Sequence, residues 1–513
     1  MQILLAGLNI DAGTVDEARS LLEAAALELP SGAVAASISD FLKRTVWTPE
    51  TISAAYARIS RDPSPAPELR ERARREVETA RRSNRTIIFE LGHGSVAEHA
   101  VFNFDVLGVS RLALEEIEHH RLCSFTEKSQ RYIALDDDAV LPQELDMAGL
   151  AETFSAAMRE QFDDYEALYA RLLALALEKR KGLADGRAPR ILLEGLAKED
   201  ARYVLCLAVP GQLGLTANAR NVERMLGRLA AHPLAELREF SRRLSEAVAG
   251  LAPSLIKYTQ GARRPRHTYD DLQREAGRLA AGFSDPTGPD EDAVKLVRCP
   301  PDGDDRIAAA LLFAESGHPL ETCTKAVAAM PAERREELVR ASLHRLECWD
   351  PVARAFEEVS LTYELTVSAS CFAQLKRHRM ATLLAQDYDT ALGVTKPPAV
   401  EEAGEGAGER FQRAVERAER LHEILCEKVP AAAPYALTNA HRRRVLFSCN
   451  VRELYHFARL RLDEHAQWDI RAVAARMVGL ARERLPLALT MACGKHEFEK
   501  LFEEVFGKPP GEA

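Results

Sequence analysis

The sequence predicts a protein of mixed helix and strand content, mostly helical, divided into two similar halves. Its 513 residues exceed what one ordinary hydrophobic core accommodates, so two or three domains are expected. Apolar residues recur at helical spacing along most of the chain, whereas strand-like alternation is rare. An arrangement of strand, helix and basic-His-Arg cluster occurs twice, ending at 119–121 and at 377–379. This repetition predicts two related domains.

The expected elements follow from local patterns, in chain order. The apolar run in MQILLAGL favours a first strand over a signal peptide, because no basic leader or small-residue cleavage site accompanies it. Thr48 and Pro49 open the first helix as an N-cap and a first-turn proline. Alternating apolar and polar residues predict strands at 100–109 and 359–368. Helical spacing of apolar residues predicts helices at 48–61, 68–84, 234–252 and 469–485.

The later parts of the two halves are also similar. Residues 215–240 and 446–473 both contain Asn-x-Arg, a helix, an arginine, a histidine and a second amphipathic helix. The polar, turn-rich stretch 259–290 is the expected linker between the halves. The sequence therefore predicts an N-terminal domain at 1–258 and a C-terminal domain at 291–513.

Composition restricts the class of protein. With 46% hydrophobic and 28% charged residues and a net charge of −10, the chain is typical of a soluble globular protein and is not expected to bind nucleic acid. No apolar run approaches the roughly 18 residues of a membrane span, so no membrane partner is expected. The nine cysteines are scattered without a C-x-x-C pair, which favours a cytoplasmic protein with neither disulfides nor a metal site.

The first basic cluster, His119-His120-Arg121, has two interpretations. At the end of a helix its charge would complement the negative pole of the helix dipole. The segment that follows, 124–132, is crowded with hydroxyl groups and carries Arg131. Hydroxyls, backbone N–H groups and a guanidinium on one loop can hold a phosphate. The segment therefore indicates an anion site.

Three other segments have simple structural interpretations. The stretch 397–410 is expected to be flexible because it is rich in glycine and proline. The HRRR run at 441–444 is expected to be a solvated face or a strand edge. Arg202 can cap a helix or pair with Glu199.

The ordered set of motifs resembles the flavin-dependent thymidylate synthases, whose signature is RHR-x7-S, continued as S-x-R-Y and preceded by G-H-x-S-x-x-E-H. The first half matches this pattern at His93, Glu98-His99, His120-Arg121, Ser129, Arg131 and Tyr132. The second half resembles a diverged copy that keeps Q-x-x-R-H-R and the later segments, at Gln374, Arg377, His378, Arg379, Asn450, Arg452, Arg461 and His465.

The two halves have lost different parts of the family pattern. The second half has Asp387 and Asp389 where the family has Ser and Arg, whereas the first half keeps that loop. In the first half, His119 replaces the first arginine of RHR, and Arg228 is shifted by one residue relative to Arg461. These complementary losses predict composite sites, with each half supplying different walls.

The resemblance also implies a fold and an assembly. It implies an α+β protein of two tandem domains, each a central sheet flanked by long helices. The family assembles as homotetramers with sites between subunits, so a homodimer of this duplicated chain would form a pseudo-tetramer.

The resemblance implies a reaction and a set of site residues. The reaction is reductive methylation of dUMP to dTMP, with methylenetetrahydrofolate as carbon donor and NADPH reducing FAD. The residue expected to stabilise negative charge on the uracil ring is Arg461 or Arg228. Substrate binding is expected from Glu127, Ser129, Arg131, Arg202 and Gln374. FAD binding is expected from His93, His120, Arg121, Arg220, Arg377, His378, Arg379, Asn450, Arg452 and His465.

Two alternatives stay open at the level of sequence. His119 stands where the family has Arg, Glu116 where it has Gln, and Thr126 where it has Asn. These changes in the ligand wall of the first half leave open a flavin-dependent methyltransferase that acts on another pyrimidine. Alternatively, both copies have eroded and the chain is a flavin- or nucleotide-binding scaffold.

Overall fold

The computed structural model contains two four-stranded sheets and describes residues 1–27, 36–41, 46–130, 138–180, 187–259, 263–283 and 292–511. The strands of the first sheet are β1 (Gln2–Leu8), β2 (Val101–Ser110), β3 (Ser124–Glu127) and β4 (Pro210–Asn218). Those of the second are β5 (Val294–Arg298), β6 (Ser360–Ser368), β7 (Thr382–Ala385) and β8 (Arg442–Asn450). Both sheets are antiparallel and have equivalent strand orders, β1-β2-β4-β3 and β5-β6-β8-β7.

Long helices accompany each sheet. Those of the first half are α1 (Ala12–Leu27), α2 (Glu50–Arg58), α3 (Ala66–Arg75), α4 (Val77–Arg85), α5 (Arg111–Glu118), α6 (Gln143–Met147), α7 (Ala151–Lys179), α8 (Arg187–Ala201), α9 (Ala219–Leu229), α10 (Ala235–Val248) and α11 (Arg263–Ala280). Those of the second half are α12 (Gly303–Ser316), α13 (Leu320–Ala329), α14 (Ala332–Ala341), α15 (Ala369–Leu375), α16 (Pro398–Glu402), α17 (Glu405–Lys428), α18 (Val451–Arg461), α19 (Trp468–Arg484) and α20 (Phe498–Phe506). The expected α+β class, with two tandem sheet-containing domains, is confirmed.

Most predicted elements are present, with three differences. The helix predicted at 68–84 is two helices, α3 and α4, because the chain leaves helical geometry at Glu76 (φ −121°, ψ 57°). The predicted linker 259–290 contains helix α11, and the domain boundaries remain a prediction. The prediction of a flexible stretch at 397–410 is wrong. It forms α16 and the start of α17, because Pro398 occupies the first turn, where proline is tolerated.

The HRRR run was also interpreted wrongly. It begins β8, which is an inner strand paired with β6 on one side and β7 on the other. The side chain of Arg443 is consequently buried. Its charge is compensated by Glu115 of the first half, at 2.8 Å.

The two halves are related element by element. Val101 pairs with Asn218 in the first sheet, and Ser360 pairs with Asn450 in the second. The inner strands β2 and β6 each end in a serine, Ser110 or Ser368, whose side chain caps the following helix. The basic turns at 119–121 and 377–379 come directly after these helices.

Residues of both halves contribute to one hydrophobic cluster, and the second sheet has a further cluster of its own. The long helices α7 and α17 contribute to the same buried cluster, which also contains Tyr203 and Tyr435. Backbone hydrogen bonds cross between the halves, from Leu207 N–H to the Leu437 carbonyl at 2.9 Å. Burial of apolar surface therefore fixes how the two halves face each other.

Two buried carboxylates mark the internal symmetry. Glu236 accepts hydrogen bonds from Ser110 of its own half at 2.6 Å and from the Tyr435 hydroxyl of the other half at 2.7 Å. Asp469 accepts in the same way from Ser368 at 2.6 Å and from Tyr203 at 2.9 Å. Each half thus donates a tyrosine hydroxyl to the other around a pseudo-two-fold axis. In the part of the chain that the structure describes, no helix has both the length and the apolar surface needed to cross a bilayer.

Candidate active site between the two halves

Both halves line a cavity of about 330 Å³. Strand β3 and the end of α5 form the wall from the first half, and the basic turn after α15 forms the wall from the second. The lining residues are Glu118, Ser124, Phe125, Thr126, Glu127, Lys376, Arg377 and Arg379. The cavity combines an acidic and hydroxyl-bearing wall with a strongly basic one.

Glu127 lies at the junction of these walls. Its carboxylate accepts from the Arg111 guanidinium at 2.9 Å and is paired with Arg377 of the other half at 3.4 Å. Burial by itself would raise the pKa of Glu127, but the positive charge of Arg111, followed by those of Lys376 and Arg377, outweighs burial and lowers it. Glu127 is therefore an anion at neutral pH and acts only as an acceptor.

The two basic turns contact each other. Arg379 donates to the backbone carbonyls of Arg121, at 3.1 Å, and of Cys123. Arg121 donates to the Thr382 hydroxyl of β7 at 3.1 Å. The side chain of Arg377 is 51% exposed. Because a guanidinium carries five N–H donors, these arginines have the chemistry needed for phosphate.

Arg461 is held against the second basic turn. Its Nε donates to His378 Nε2 at 2.9 Å, and its Nη2 donates to the backbone carbonyl of Gln374 at 3.0 Å. The Gln374 amide donates in turn to Gln467 at 3.2 Å. Three predicted site residues, Gln374, His378 and Arg461, are thus brought together in one hydrogen-bonded group.

His378 orients Arg461 as a neutral imidazole. Because Nε2 accepts from Arg461, the ring proton lies on Nδ1 and is donated to Glu453 at 3.2 Å. Burial lowers the pKa of His378 well below its ordinary value, and the charge of Arg461 lowers it further. In the first half, burial lowers the pKa of His120 to about 4, and its Nδ1–H is directed to the Ile117 carbonyl at 3.1 Å. Neither histidine supplies positive charge at neutral pH.

The Asn-x-Arg segments fill equivalent structural roles in both halves. Asn450 accepts from the Glu453 backbone N–H at 2.8 Å and caps α18. Arg452 donates to the Val352 carbonyl and to Glu357, both at 2.9 Å. In the first half Arg220 pairs with Glu98. Asn450 and Arg452 also line a second cavity, of about 310 Å³.

Several predicted residues lie apart from the cavity between the halves. His93 is exposed and lines a separate cavity of about 420 Å³ in the first half. Arg202 is buried and donates from Nε to the Glu199 carbonyl at 3.2 Å, as the helix-capping interpretation expects.

The remaining predicted residues divide into three cases. Arg228 pairs with Glu116 at 2.5 Å, in a half-buried ion pair of the first half. His465 is exposed and contacts Asp463 at 2.9 Å. Ser129 is half-buried at the end of the β3 loop, and Arg131 lies outside the described residues.

Sequence reasoning missed the ion pairs that build the cavity. Glu118 and Lys376 occupy equivalent positions in the two halves and contact each other at 2.8 Å, both buried. Arg111, whose side chain is buried, anchors Glu127 from the first turn of α5. Opposite charges at equivalent positions of the two repeats are the signal that aligning the halves could have revealed.

Comparisons with known proteins match both halves of the chain. A family model described as thymidylate synthase complementing protein matches residues 42–254 and 295–487. The UPF0159 protein Ta1429 of Thermoplasma acidophilum is 26% identical over 80% of this chain and 89% of its own length. A flavin-dependent thymidylate synthase of Geobacter sulfurreducens is 29% identical over 41% of this chain and 81% of its own length.

A solved structure is also similar over part of the chain. It is the crystal structure of the flavin-dependent thymidylate synthase ThyX from Helicobacter pylori complexed with FAD and dUMP, which is 18% identical. The match covers 51% of this chain and 100% of that chain, with a TM-score of 0.30. Because the family model matches most of the sequence in two consecutive segments, the chain belongs to the thymidylate synthase complementing protein family, in a duplicated form.

Proposed function

We propose that the chain catalyses the FAD-dependent reductive methylation of dUMP to dTMP, with methylenetetrahydrofolate as the carbon donor and NADPH as the reductant. Its family membership and its similarity to proteins named flavin-dependent thymidylate synthase support this reaction. The observation that carries the proposal is the cavity in which the Glu127 wall of the first half faces Arg377 and Arg379 of the second. A cytoplasmic location is part of the same proposal.

The donor set around this cavity fits a flavin dinucleotide. A diphosphate requires several guanidinium or N–H donors, and Arg377, Arg379 and Arg121 meet at the two basic turns. Arg452 lines the cavity of about 310 Å³, and Arg220 lies beside Gly94, which is next to the cavity-lining His93 in sequence. When bound, FAD would supply the hydride chemistry, so no protein nucleophile is required.

The nucleotide substrate would share this cavity with the flavin and use further groups beside it. Ser129 and the basic turn would bind its phosphate, and Arg131, two residues further along the sequence, would add a second guanidinium. Arg461 would stabilise negative charge on the uracil ring. A preorganised guanidinium is effective in this role because it needs no reorientation as charge develops, and Gln374 and His378 hold Arg461 in one orientation.

A direct assay tests this proposal. Purified chain loaded with FAD is incubated anaerobically with dUMP, methylenetetrahydrofolate and NADPH, and the nucleotides are separated by chromatography. We expect dTMP formation that requires all three small molecules. Methylation of another pyrimidine with no conversion of dUMP would favour the alternative substrate. A colourless protein that does not take up added FAD would contradict the proposal outright.

The assembly belongs to the same proposal. We infer a homodimer of tandem chains that forms a pseudo-tetramer, because each chain already pairs two related domains around a pseudo-two-fold axis. Light scattering at micromolar concentration is expected to give twice the chain mass. A monomer at that concentration would contradict the dimer.

A further inference from the structure

We propose that each chain binds one nucleoside monophosphate, in the cavity between β3 and the second basic turn, and that the pseudo-equivalent position is closed to phosphate by a cluster of Glu115, Tyr388 and Arg443. The proposal rests on the proposed function, because it concerns the substrate of that site. It adds the number of substrate sites and identifies which side of the pseudo-two-fold axis carries the site.

The internal symmetry shows where a second site would lie. Glu118 and Lys376 are equivalent residues and contact each other at 2.8 Å, so the pseudo-two-fold axis passes close to this pair. Rotation about the axis exchanges β3 with β7, because Ser124 pairs with Thr216 of β4 just as Thr382 pairs with Ser448 of β8. A second site would therefore lie between β7 and the first basic turn.

The wall formed by β7 lacks the polar groups of β3. By register, Ala385 replaces Glu127 and Leu384 replaces Thr126. On the facing turn, His119 replaces Arg377. Burial, and then the charge of Arg228, lower the pKa of His119, so this position is neutral at pH 7. The second position thus lacks the exposed guanidinium that would bind the phosphate, and it lacks the carboxylate that pairs with that guanidinium.

The loop after β7 is unfavourable for an anion. Asp387 and Asp389 stand at the positions of Ser129 and Arg131. Two carboxylates repel a phosphate dianion, whereas a hydroxyl and a guanidinium attract it. Asp389 instead accepts from the Ala391 backbone N–H at 2.9 Å and shapes its own turn.

Tyr388 lies between these two aspartates in the sequence. Its ring is buried, and its hydroxyl donates to Glu115 at 2.7 Å. The guanidinium of Arg443 lies over the ring, 4.3 Å from its centroid, and donates to Glu115 at 2.8 Å. A loop held this way cannot open toward a ligand without exposing a buried ion pair.

This cluster is present on one side only. The second half has Ala373 where the first half has Glu115, and the first half has Gly211 where the second half has Arg443. A Cβ atom on Gly211 would come within 2.4 Å of Leu114 Cδ1, so an equivalent arginine in the first half would require the Leu114 side chain to move.

Binding stoichiometry tests the proposal. Isothermal titration of the full FAD-loaded chain with dUMP is expected to give one site per chain. Arg377→Ala is expected to weaken dUMP binding about ten-fold or more, because it removes a charge-assisted contact. The matched control His119→Ala, at the equivalent position of the other half, is expected to change affinity less than two-fold, and so is Asp389→Ala.

The outcomes separate this inference from the proposed reaction. Two dUMP molecules per chain, or equal losses for the Arg377 and His119 variants, would overturn the one-sided site even if dTMP is formed. One dUMP per chain without dTMP formation would support the site and contradict the reaction. No saturable dUMP binding would overturn both. If Arg377→Ala does not fold, Arg377→Lys is used, and the stoichiometry of the unmodified chain still decides the proposal.

Discussion

Removing the Glu115 carboxylate is expected to destabilise the chain by about 3 kcal/mol. The side chains of Glu115 and Arg443 are 4% and 10% exposed, so Glu115→Ala leaves a guanidinium buried without its counter-ion. Breaking a buried pair by removing one partner costs roughly 3–5 kcal/mol. The lower end of this range applies because Arg443 keeps other interactions. Its Nε still donates to the Gln386 carbonyl at 2.6 Å, and its guanidinium still lies 4.6 and 4.3 Å from the ring centroids of Phe372 and Tyr388.

A second variant separates the ion pair from simple loss of side chains. In Glu115→Ala combined with Arg443→Met, both charges of the pair are removed together, so neither is left buried without its partner. The Tyr388 hydroxyl loses one hydrogen bond worth about 1 kcal/mol. The double variant is therefore expected to be more stable than Glu115→Ala alone. Urea unfolding is followed by circular dichroism at fixed protein concentration, because dimerisation would contribute to stability. A cost below about 1 kcal/mol for Glu115→Ala, or additive costs in the double variant, would refute a coupled buried pair.

Four further variants test other parts of the structure. Arg461→Lys is expected to lower kcat for dTMP formation about 10²-fold or more, because a compact ammonium on a flexible stem does not reproduce the planar guanidinium held by Gln374 and His378. An unchanged kcat would remove Arg461 from the site. Burial raises the pKa of Asp200 to about 7, with the Trp468 N–H opposing the shift. The folded chain therefore holds more protons than the unfolded chain between about pH 4 and 7, and stability from this group falls as the pH rises through that window. Asp200→Asn should remove this part of the slope in urea titrations at pH 5 and 7.5, and an identical slope would contradict the assignment. Tyr203→Phe and Tyr435→Phe should each cost about 1–3 kcal/mol by urea unfolding, since each loses a hydrogen bond to a buried carboxyl; markedly unequal costs would argue against the pseudo-two-fold relation.

Local patterns predicted the elements that carry the site. The strands at 101–110 and 360–368 and the basic turns that follow them were visible because side-chain alternation and helix-ending charges are encoded over a few residues. The duplication was visible because both copies keep the order of these elements. The family resemblance predicts that Asn450 binds the cofactor. An Asn directly before a helix is also a preferred N-cap, and in the structure Asn450 caps α18.

The contacts across the halves were beyond local reasoning. Arg443 and Glu115 are 328 residues apart in sequence. The sequence of the HRRR run therefore gives no sign of its partner, and a charged run without a visible partner is predicted to be exposed. The burial of His378 and its bond to Arg461 likewise depend on how α15 and α18 pack. The sequence motif identifies His378 and Arg461 as site residues. The tertiary structure shows that the neutral imidazole of His378 orients the guanidinium of Arg461.

We expect one site to be built from both halves of one duplicated chain. A crystal structure of the complex with FAD and dUMP tests it most directly. The nucleotide phosphate is expected to contact the segment after β3 of the first half, and Arg377 or Arg379 of the second half is expected to contact the bound FAD or dUMP. Ligands held entirely by residues of one half, with the cavity between Glu127 and Arg377 empty, would contradict it.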